Sequence, residues 1–186
     1  MLEKEIKALI DKQDFEDLKI YLLAKCKEHK SFLQINYYYD NEDYYLHEHR
    51  NTLRVRQIED KLKLEYKCKK AMIMDGVHTS HEYSKSIVAI PLLVNVSDEF
   101  GIKDNNFYKC IGNLITQRSN YYIKDTIVSL DKNYYLGKID YELEIEGENL
   151  EEIQKVYNQL EIPSSSLFYP GKFGRYCEIA KKLIVM

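Results

Sequence analysis

Period-2 alternation of apolar and polar residues recurs in many separate segments of the chain, whereas only a few stretches show helical spacing. This asymmetry predicts mainly β-structure. Turn-forming residues at 41–43, 75–76 and 131–133 are expected to lie between strands. Eight strands are predicted, near residues 2–9, 32–40, 51–58, 61–69, 79–85, 108–118, 121–131 and 138–147.

The helical stretches are few and lie near the two ends of the chain. One follows Asp11, one begins near Asn149 with Glu152 in a capping-box-like position, and one covers residues 173–183. Because closure removes the exposed edges of a sheet, the pattern favours an α+β fold that is mainly antiparallel β. We expect an eight-stranded closed β-barrel, or tunnel, with a few flanking helices, in one domain that covers residues 1–186.

Composition excludes some functional classes. The formal net charge is −3, from 27 basic and 30 acidic residues, so bulk attraction to nucleic acid or to an anionic membrane is not indicated. The four cysteines include no C-x-x-C pair, and the amino terminus lacks the apolar core of a signal peptide, so we expect a cytoplasmic location. The best apolar run, residues 87–96, is about half the length of a membrane helix and is interpreted as buried core. Monomer and homodimer both fit the sequence.

Several predicted strands carry charged residues on the face where a barrel would have its core. For any one strand a solvated face is the more common explanation. The charges are sorted by sign, however, with acids gathered at the first strand and the last one, and bases between residues 54 and 67 and at 118. Acidic and basic walls that face each other would suit an anionic ligand bridged by metal. The clearest faces are those of Asp140, Glu142, Glu144 and Glu146, of Arg54 and Arg56, and of Lys63, Glu65, Lys67 and Lys69.

The segment Glu3-Lys4-Glu5-Ile6-Lys7 matches the E-x-E-x-K signature of the CYTH superfamily, the triphosphate tunnel metalloenzymes. The chain resembles this family over nearly its whole length, because further motifs follow in the family's order and spacing. The resemblance implies an eight-stranded antiparallel tunnel, dependence on a divalent metal and activity on triphosphorylated substrates. The further motifs are Tyr39-Asp40, Leu53–Arg56, Leu64–Lys67, His81-Glu82, Arg118, Leu130-Asp131 and Tyr141–Glu146.

The same resemblance implies roles for individual residues. The catalytic group would be Glu5, Lys7 and Glu144. Either Glu142 with Glu144, or Glu144 with Glu146, would be the principal metal-binding pair. The full set expected to hold Mg²⁺ or Mn²⁺ is Glu3, Glu5, Asp131, Glu142, Glu144 and Glu146. The set expected to contact the triphosphate is Lys7, Arg54, Arg56, Lys67, Glu82, Arg118 and Lys172.

The expected function is metal-dependent hydrolysis of inorganic tripolyphosphate or of an organic triphosphate such as thiamine or nucleoside triphosphate. The partner would then be a small-molecule triphosphate. A class IV adenylyl cyclase is an alternative, since it would bind the triphosphate with the same residues but would use a ribose hydroxyl as the nucleophile. A non-catalytic module that binds polyphosphate is another. If the charged faces pointed to solvent, the protein would instead be an interaction domain.

Overall fold

The computed structural model describes residues 2–72, 77–162, 167 and 169–184. Within these ranges the chain forms nine strands and five helices. In chain order they are β1 (Leu2–Ile10), α1 (Lys12–Lys25), β2 (His29–Asp40), α2 (Tyr45–Glu48), β3 (Asn51–Ile58), β4 (Lys61–Met72), β5 (Val77–Ile87), β6 (Leu93–Asn95), α3 (Val96–Phe100), β7 (Phe107–Ile123), β8 (Thr126–Tyr135), β9 (Lys138–Gly147), α4 (Leu150–Gln159) and α5 (Lys172–Ile184).

The strands form one strongly curled antiparallel sheet in the order β2-β3-β4-β5-β1-β9-β8-β7-β6. An additional pairing between β2 and β7, from His29 opposite Tyr121 to Asp40 opposite Lys109, brings the two sides of the sheet together. Eight of the described strands are thus hydrogen-bonded around a ring. The short strand β6 lies outside this ring and pairs with the first three residues of β7, from Phe107 to Lys109. The predicted eight-stranded antiparallel barrel with flanking helices is confirmed, and β6 is an element that the pattern missed.

Apolar side chains lie mainly on the outer face of this ring, where helices cover them. The helix α1 begins after Asp11, whose side chain accepts a hydrogen bond from the backbone N–H of Asp14 at 2.8 Å. Helices α1 and α4 pack over β1, β8 and β9 in one apolar cluster. Because the outward positions of these strands are apolar, the alternation directs their polar positions inward. The cluster includes Ile6, Ala8, Phe15, Leu18, Leu22, Val128, Leu130, Leu143, Ile145, Ile153 and Val156.

Two sequence expectations about β8 are wrong. Residues 121–123 belong to the end of β7, and the chain turns at Lys124, whose φ is 52°. The expected turn at residues 131–133 lies inside β8, where Asp131 and Asn133 are buried. Their turn propensity is overridden because both side chains have hydrogen-bonding partners inside the ring. The expected turn at residues 75–76 lies outside the described residues.

The apolar run at residues 87–96 is not the buried core that its sequence suggested. Val88 is fully exposed and Leu92 is nearly so, while Val94 and Val96 are buried. The run links β5 to the edge strand β6, and its first part is a connecting segment that faces solvent. Among the described helices, none combines the length and the apolar character that a membrane-spanning helix needs.

Helix α5 reaches the ring at a position that only glycine can occupy. Gly112 has a φ of 145°, and a Cβ at this residue would lie 1.8 Å from the hydroxyl oxygen of Tyr176 on α5. That hydroxyl donates a hydrogen bond to the backbone carbonyl of Ile111 at 2.9 Å. The close approach of β7 and α5 therefore depends on the missing side chain.

We expect Gly112→Ala to lower the free energy of unfolding by about 1–3 kcal/mol through overpacking against Tyr176, in addition to its backbone strain. Chemical denaturation measures the change. Gly101→Ala is the matched control, because Gly101 also has a positive φ, 67°, but a Cβ there would meet no atom within 4 Å. Equal losses for the two variants would show that Tyr176 does not constrain residue 112.

Candidate active site

Charged side chains from seven strands converge inside the ring. Strand register brings them together, because residues directly opposite each other on antiparallel strands share a face. Glu5 lies opposite Glu146, and Lys7 lies opposite Glu144. The inward-facing charged residues on the strands are Glu5, Lys7, Arg54, Arg56, Glu65, Lys67, Glu82, Arg118, Asp131, Asp140, Glu142, Glu144 and Glu146.

Glu144 is at the centre of this group. Its carboxylate accepts hydrogen bonds from Lys7 Nζ at 3.0 Å, from Lys172 Nζ at 2.6 Å and from Arg118. Burial of Glu144 would raise its pKa, but the charges of Arg118, Lys172 and Lys7 outweigh burial and hold the pKa well below its ordinary value. Glu144 is therefore ionised at neutral pH and anchors three cations.

Glu5 forms a second ionised centre beside Glu144. Lys7 Nζ lies 2.9 Å and Lys67 Nζ lies 3.3 Å from the Glu5 carboxylate. Burial opposes ionisation, yet the two lysine charges lower the pKa of Glu5 to about 2. One carboxylate oxygen from each of Glu5, Glu144 and Glu146 can be chosen so that all lie within 4.8 Å of one another. Such an oxygen set fits a hard divalent cation.

The geometry separates Glu142 from that trio. Glu142 accepts hydrogen bonds from Lys172 Nζ at 2.7 Å and from Arg175 Nη2 at 2.6 Å. Burial raises its pKa despite these cations, and the neighbouring charge of Glu144 raises it further. Of the two alternatives for the principal metal-binding pair, the structure groups Glu144 with Glu146. Glu142 instead contacts the two cations of α5.

Strands β3 and β4 contribute a further group of charged side chains to the interior. Arg54 Nε donates a hydrogen bond to Glu65 at 2.7 Å, and Arg56 Nε lies 3.5 Å from the same carboxylate. Glu65 is buried, and it was not among the residues assigned to the site from the sequence. Its position on the same strand face as Lys67, directly opposite Arg54 on the adjacent strand, was the available signal. Glu65 holds the two arginine side chains in the interior.

Helix α5 contributes Lys172, as expected, and also Arg175, which the sequence reasoning missed. Arg175 Nε and Nη2 lie 2.8 Å and 3.1 Å from the two carboxylate oxygens of Asp140, so the contact is bidentate. Lys172 also lies 2.8 Å from Asp131. The signal for Arg175 was its spacing of three residues from Lys172, which places both on one side of a helix.

The remaining assigned residues are placed as follows. Arg118 donates two hydrogen bonds to Asp131, at 2.7 Å and 2.6 Å. Glu82 lies opposite Lys67 across β4 and β5, and its charge acts on Arg54. Glu3 lies on β1, but its side chain lies outside the described part of the structure.

The expected segregation of acids and bases onto facing walls is wrong. Arg118 lies among Asp131 and Glu144, and Glu65 lies between Arg54 and Arg56. Buried like charges repel, so each wall pairs opposite signs across neighbouring strands. The interior is consequently a network of ion pairs with cations present on every side.

Sequence comparison relates the chain to known proteins. The CYTH domain model matches residues 1–170. The Bacillus subtilis (strain 168) protein named "Putative triphosphatase YjbK" is 26% identical over an alignment of 202 residues that covers 98% of each chain.

Solved structures with a similar fold include the following two proteins. The Hippeastrum protein HpAC1, named "Putative adenylyl cyclase" and described with a dominant triphosphatase activity, aligns with a TM-score of 0.73 at 22% identity over 95% of each chain. A Bacillus halodurans protein named "putative adenylate cyclase" aligns with a TM-score of 0.69 at 25% identity, over 92% of this chain and 95% of that one.

Proposed function

The chain belongs to the CYTH domain family, and on this premise we propose that it is a metal-dependent triphosphatase. Its substrate would be inorganic tripolyphosphate or an organic triphosphate such as thiamine triphosphate or a nucleoside triphosphate. Hydrolysis would release orthophosphate. Support at the family level comes from the similar proteins that are named or described as triphosphatases.

One observation carries the proposal: basic side chains from four strands and from α5 point into one interior. Burying this many cations is costly, because each loses its hydration and needs a carboxylate partner, and apolar side chains would fill the interior at least as well. The buried cations are therefore better explained by an anionic ligand. A triphosphate carries about four negative charges, and phosphoryl transfer depends on fixed cations around them. The inward basic residues are Lys7, Arg54, Arg56, Lys67, Arg118, Lys172 and Arg175.

The carboxylates fit a divalent metal, which we propose to be Mg²⁺ or Mn²⁺. Glu5, Glu144 and Glu146 would hold it through their oxygens, which are the ligand type that both ions prefer. When bound, the ion would help to neutralise the charge on the phosphate oxygens. We assign Asp131 and Glu142 chiefly to holding the cations of the interior, given their short contacts with Lys172.

Different residues would bind the triphosphate and orient the attacking water. The planar guanidinium groups of Arg54 and Arg56 would bind the phosphate oxygens and position the triphosphate. A bond would form between a water oxygen and the terminal phosphorus, the bond from that phosphorus to the bridging oxygen would break, and one water proton would be released. Glu144 would orient the water by accepting a hydrogen bond from it.

We expect Arg54→Ala to raise KM for tripolyphosphate by about ten-fold or more, since one charge-assisted hydrogen bond to phosphate contributes about 1.5–3 kcal/mol. The effect on kcat should be smaller, because Arg54 holds the substrate in the ground state as well. Arg50→Ala is the control, since Arg50 is exposed in the turn just before β3. Steady-state phosphate release measures both parameters, and unchanged kinetics would remove Arg54 from the site.

The proposed function is tested by a phosphate-release screen of tripolyphosphate, thiamine triphosphate and nucleoside triphosphates, each with Mg²⁺, with Mn²⁺ and with chelator. Release that requires metal is the expected result. No turnover of any triphosphate, together with triphosphate-dependent thermal stabilisation, would identify a non-catalytic polyphosphate-binding module instead.

Adenylyl cyclase activity is the second candidate, because two similar structures carry that name. The same phosphate clamp would then hold ATP while the ribose 3′ hydroxyl attacked the α-phosphorus and pyrophosphate left. Product analysis with ATP separates the two, since a triphosphatase gives orthophosphate and ADP. A cytoplasmic location, a monomer or homodimer, and a single domain stay predictions.

A further inference from the structure

Buried polar atoms without hydrogen-bond partners cluster beside Arg54 and Arg56 of β3. Among the described residues, such atoms are the side-chain nitrogen and oxygen of Asn36, the hydroxyl of Tyr38, Arg56 Nε and the hydroxyl of Tyr169. Three of these four side chains lie on the adjacent strands β2 and β3. Arg56 Nε lies 3.5 Å from the Glu65 carboxylate without a hydrogen bond, so the Asn36 amide and the Tyr38 hydroxyl are the clearest exceptions. Buried polar groups are nearly always hydrogen-bonded, so a cluster of exceptions points to a missing partner.

Strand register places these groups beside the proposed phosphate ligands. Asn36 lies directly opposite Arg56, and Tyr38 lies directly opposite Arg54. Directly paired residues project from the same face, so both polar side chains share the interior with the two arginines. Asn36 and Tyr38 have no exposed surface, and Tyr37 between them projects from the other face.

Packing holds the Tyr38 ring in a defined position. Its centroid lies 4.9 Å from that of Phe173 and 5.6 Å from that of Tyr176, both on α5. The hydroxyl is close enough to Arg54, Lys172 and Arg175 for their charges to oppose the rise in pKa that burial causes. The hydroxyl is therefore near Arg54 on β3 and near Lys172 and Arg175 on α5.

We propose that Asn36 and Tyr38 donate neutral hydrogen bonds to the non-bridging oxygens of the phosphate chain bound by Arg54 and Arg56. This inference rests on the proposed function. An anion fits these groups because three cations, Arg54, Lys172 and Arg175, act on the Tyr38 hydroxyl against the one carboxylate of Glu142. Asn36 lies directly opposite Arg56. The amide and hydroxyl add donors without adding charge, so they help to fix the position of the phosphate groups in a site that already holds many cations.

Tyr38→Phe tests the inference, with binding of tripolyphosphate measured by titration calorimetry in chelator and KM for phosphate release measured with Mg²⁺. The dissociation constant should increase about ten-fold, the effect expected for one hydrogen bond to a charged group. The melting temperature of the free protein should stay the same or rise, because no hydrogen bond is lost. Asn36→Ala is the second variant and should also weaken binding about ten-fold.

Tyr37→Phe is the matched control, because it removes a tyrosine hydroxyl from the neighbouring position on the opposite face of β2. The Tyr37 hydroxyl donates a hydrogen bond to Gln57 Oε1 at a distance of 3.1 Å. It should leave the dissociation constant unchanged. If the wild-type protein binds tripolyphosphate and both interior variants bind it equally well, the inference is overturned and water is the missing partner. If the wild-type protein does not bind tripolyphosphate, the proposed function fails and the inference fails with it.

Discussion

Glu5→Gln is expected to lower metal-dependent phosphate release from tripolyphosphate by about two to three orders of magnitude in kcat/KM. Glutamine keeps the shape of the side chain but removes the charge that faces Glu144 and Glu146. The ion would then lose an anionic ligand from a group of three. Initial rates across a range of Mg²⁺ and Mn²⁺ concentrations measure the change.

Glu28→Gln is the control for this prediction, because Glu28 is exposed in the loop before β2. It should retain wild-type rates. Thermal unfolding of Glu5→Gln checks that the fold survives, since Lys7 keeps its second contact with Glu144 at 3.0 Å. Wild-type turnover by a folded Glu5→Gln protein would refute the assignment of Glu5 as a metal ligand.

Lys172→Met is expected to produce the largest loss of stability, about 3–5 kcal/mol in the free energy of unfolding. Lys172 is buried, and its ammonium group lies 2.8 Å, 2.7 Å and 2.6 Å from Asp131, Glu142 and Glu144. Methionine fills the same space but leaves three carboxylates near one another with one cation fewer. Denaturant titration at neutral pH measures the loss.

A second substitution tests the electrostatic origin of that loss. Adding Glu142→Gln to Lys172→Met removes one of the uncompensated charges, so the double variant should recover part of the stability. Lys181→Met on the same helix is the control, because its ion pair with Glu48 is exposed and should contribute little. Equal losses at residues 172 and 181 would show that the buried network does not stabilise the fold.

The fold was predictable because alternation is a local signal. Each strand of the ring shows its period in the sequence, and Asp11 and Asn149 mark helix starts that the structure contains. The β7–β8 boundary was mispredicted because Asp131 and Asn133 have turn propensity in isolation. Only their partners across the sheet, such as Arg118 for Asp131, make a buried strand position favourable.

The site was predictable where charge alternated along a strand, as at Glu142, Glu144 and Glu146. Glu65 and Arg175 were missed for different reasons. Glu65 reads as part of an ordinary charged strand face until its contact with Arg54 is known. Arg175 lies on a helix, and its position inside the ring depends on the close packing of α5 at Gly112. Such tertiary approaches leave no periodic signal in the sequence.

The most direct test of the proposed triphosphate site is a crystal structure of the protein with tripolyphosphate bound in the absence of divalent metal. Phosphate density is expected inside the ring, with oxygens within about 3 Å of the guanidinium nitrogens of Arg54 and Arg56 and of the Lys67 ammonium group. Tripolyphosphate bound only on the outer surface, with the ion pairs of the interior intact, would contradict it.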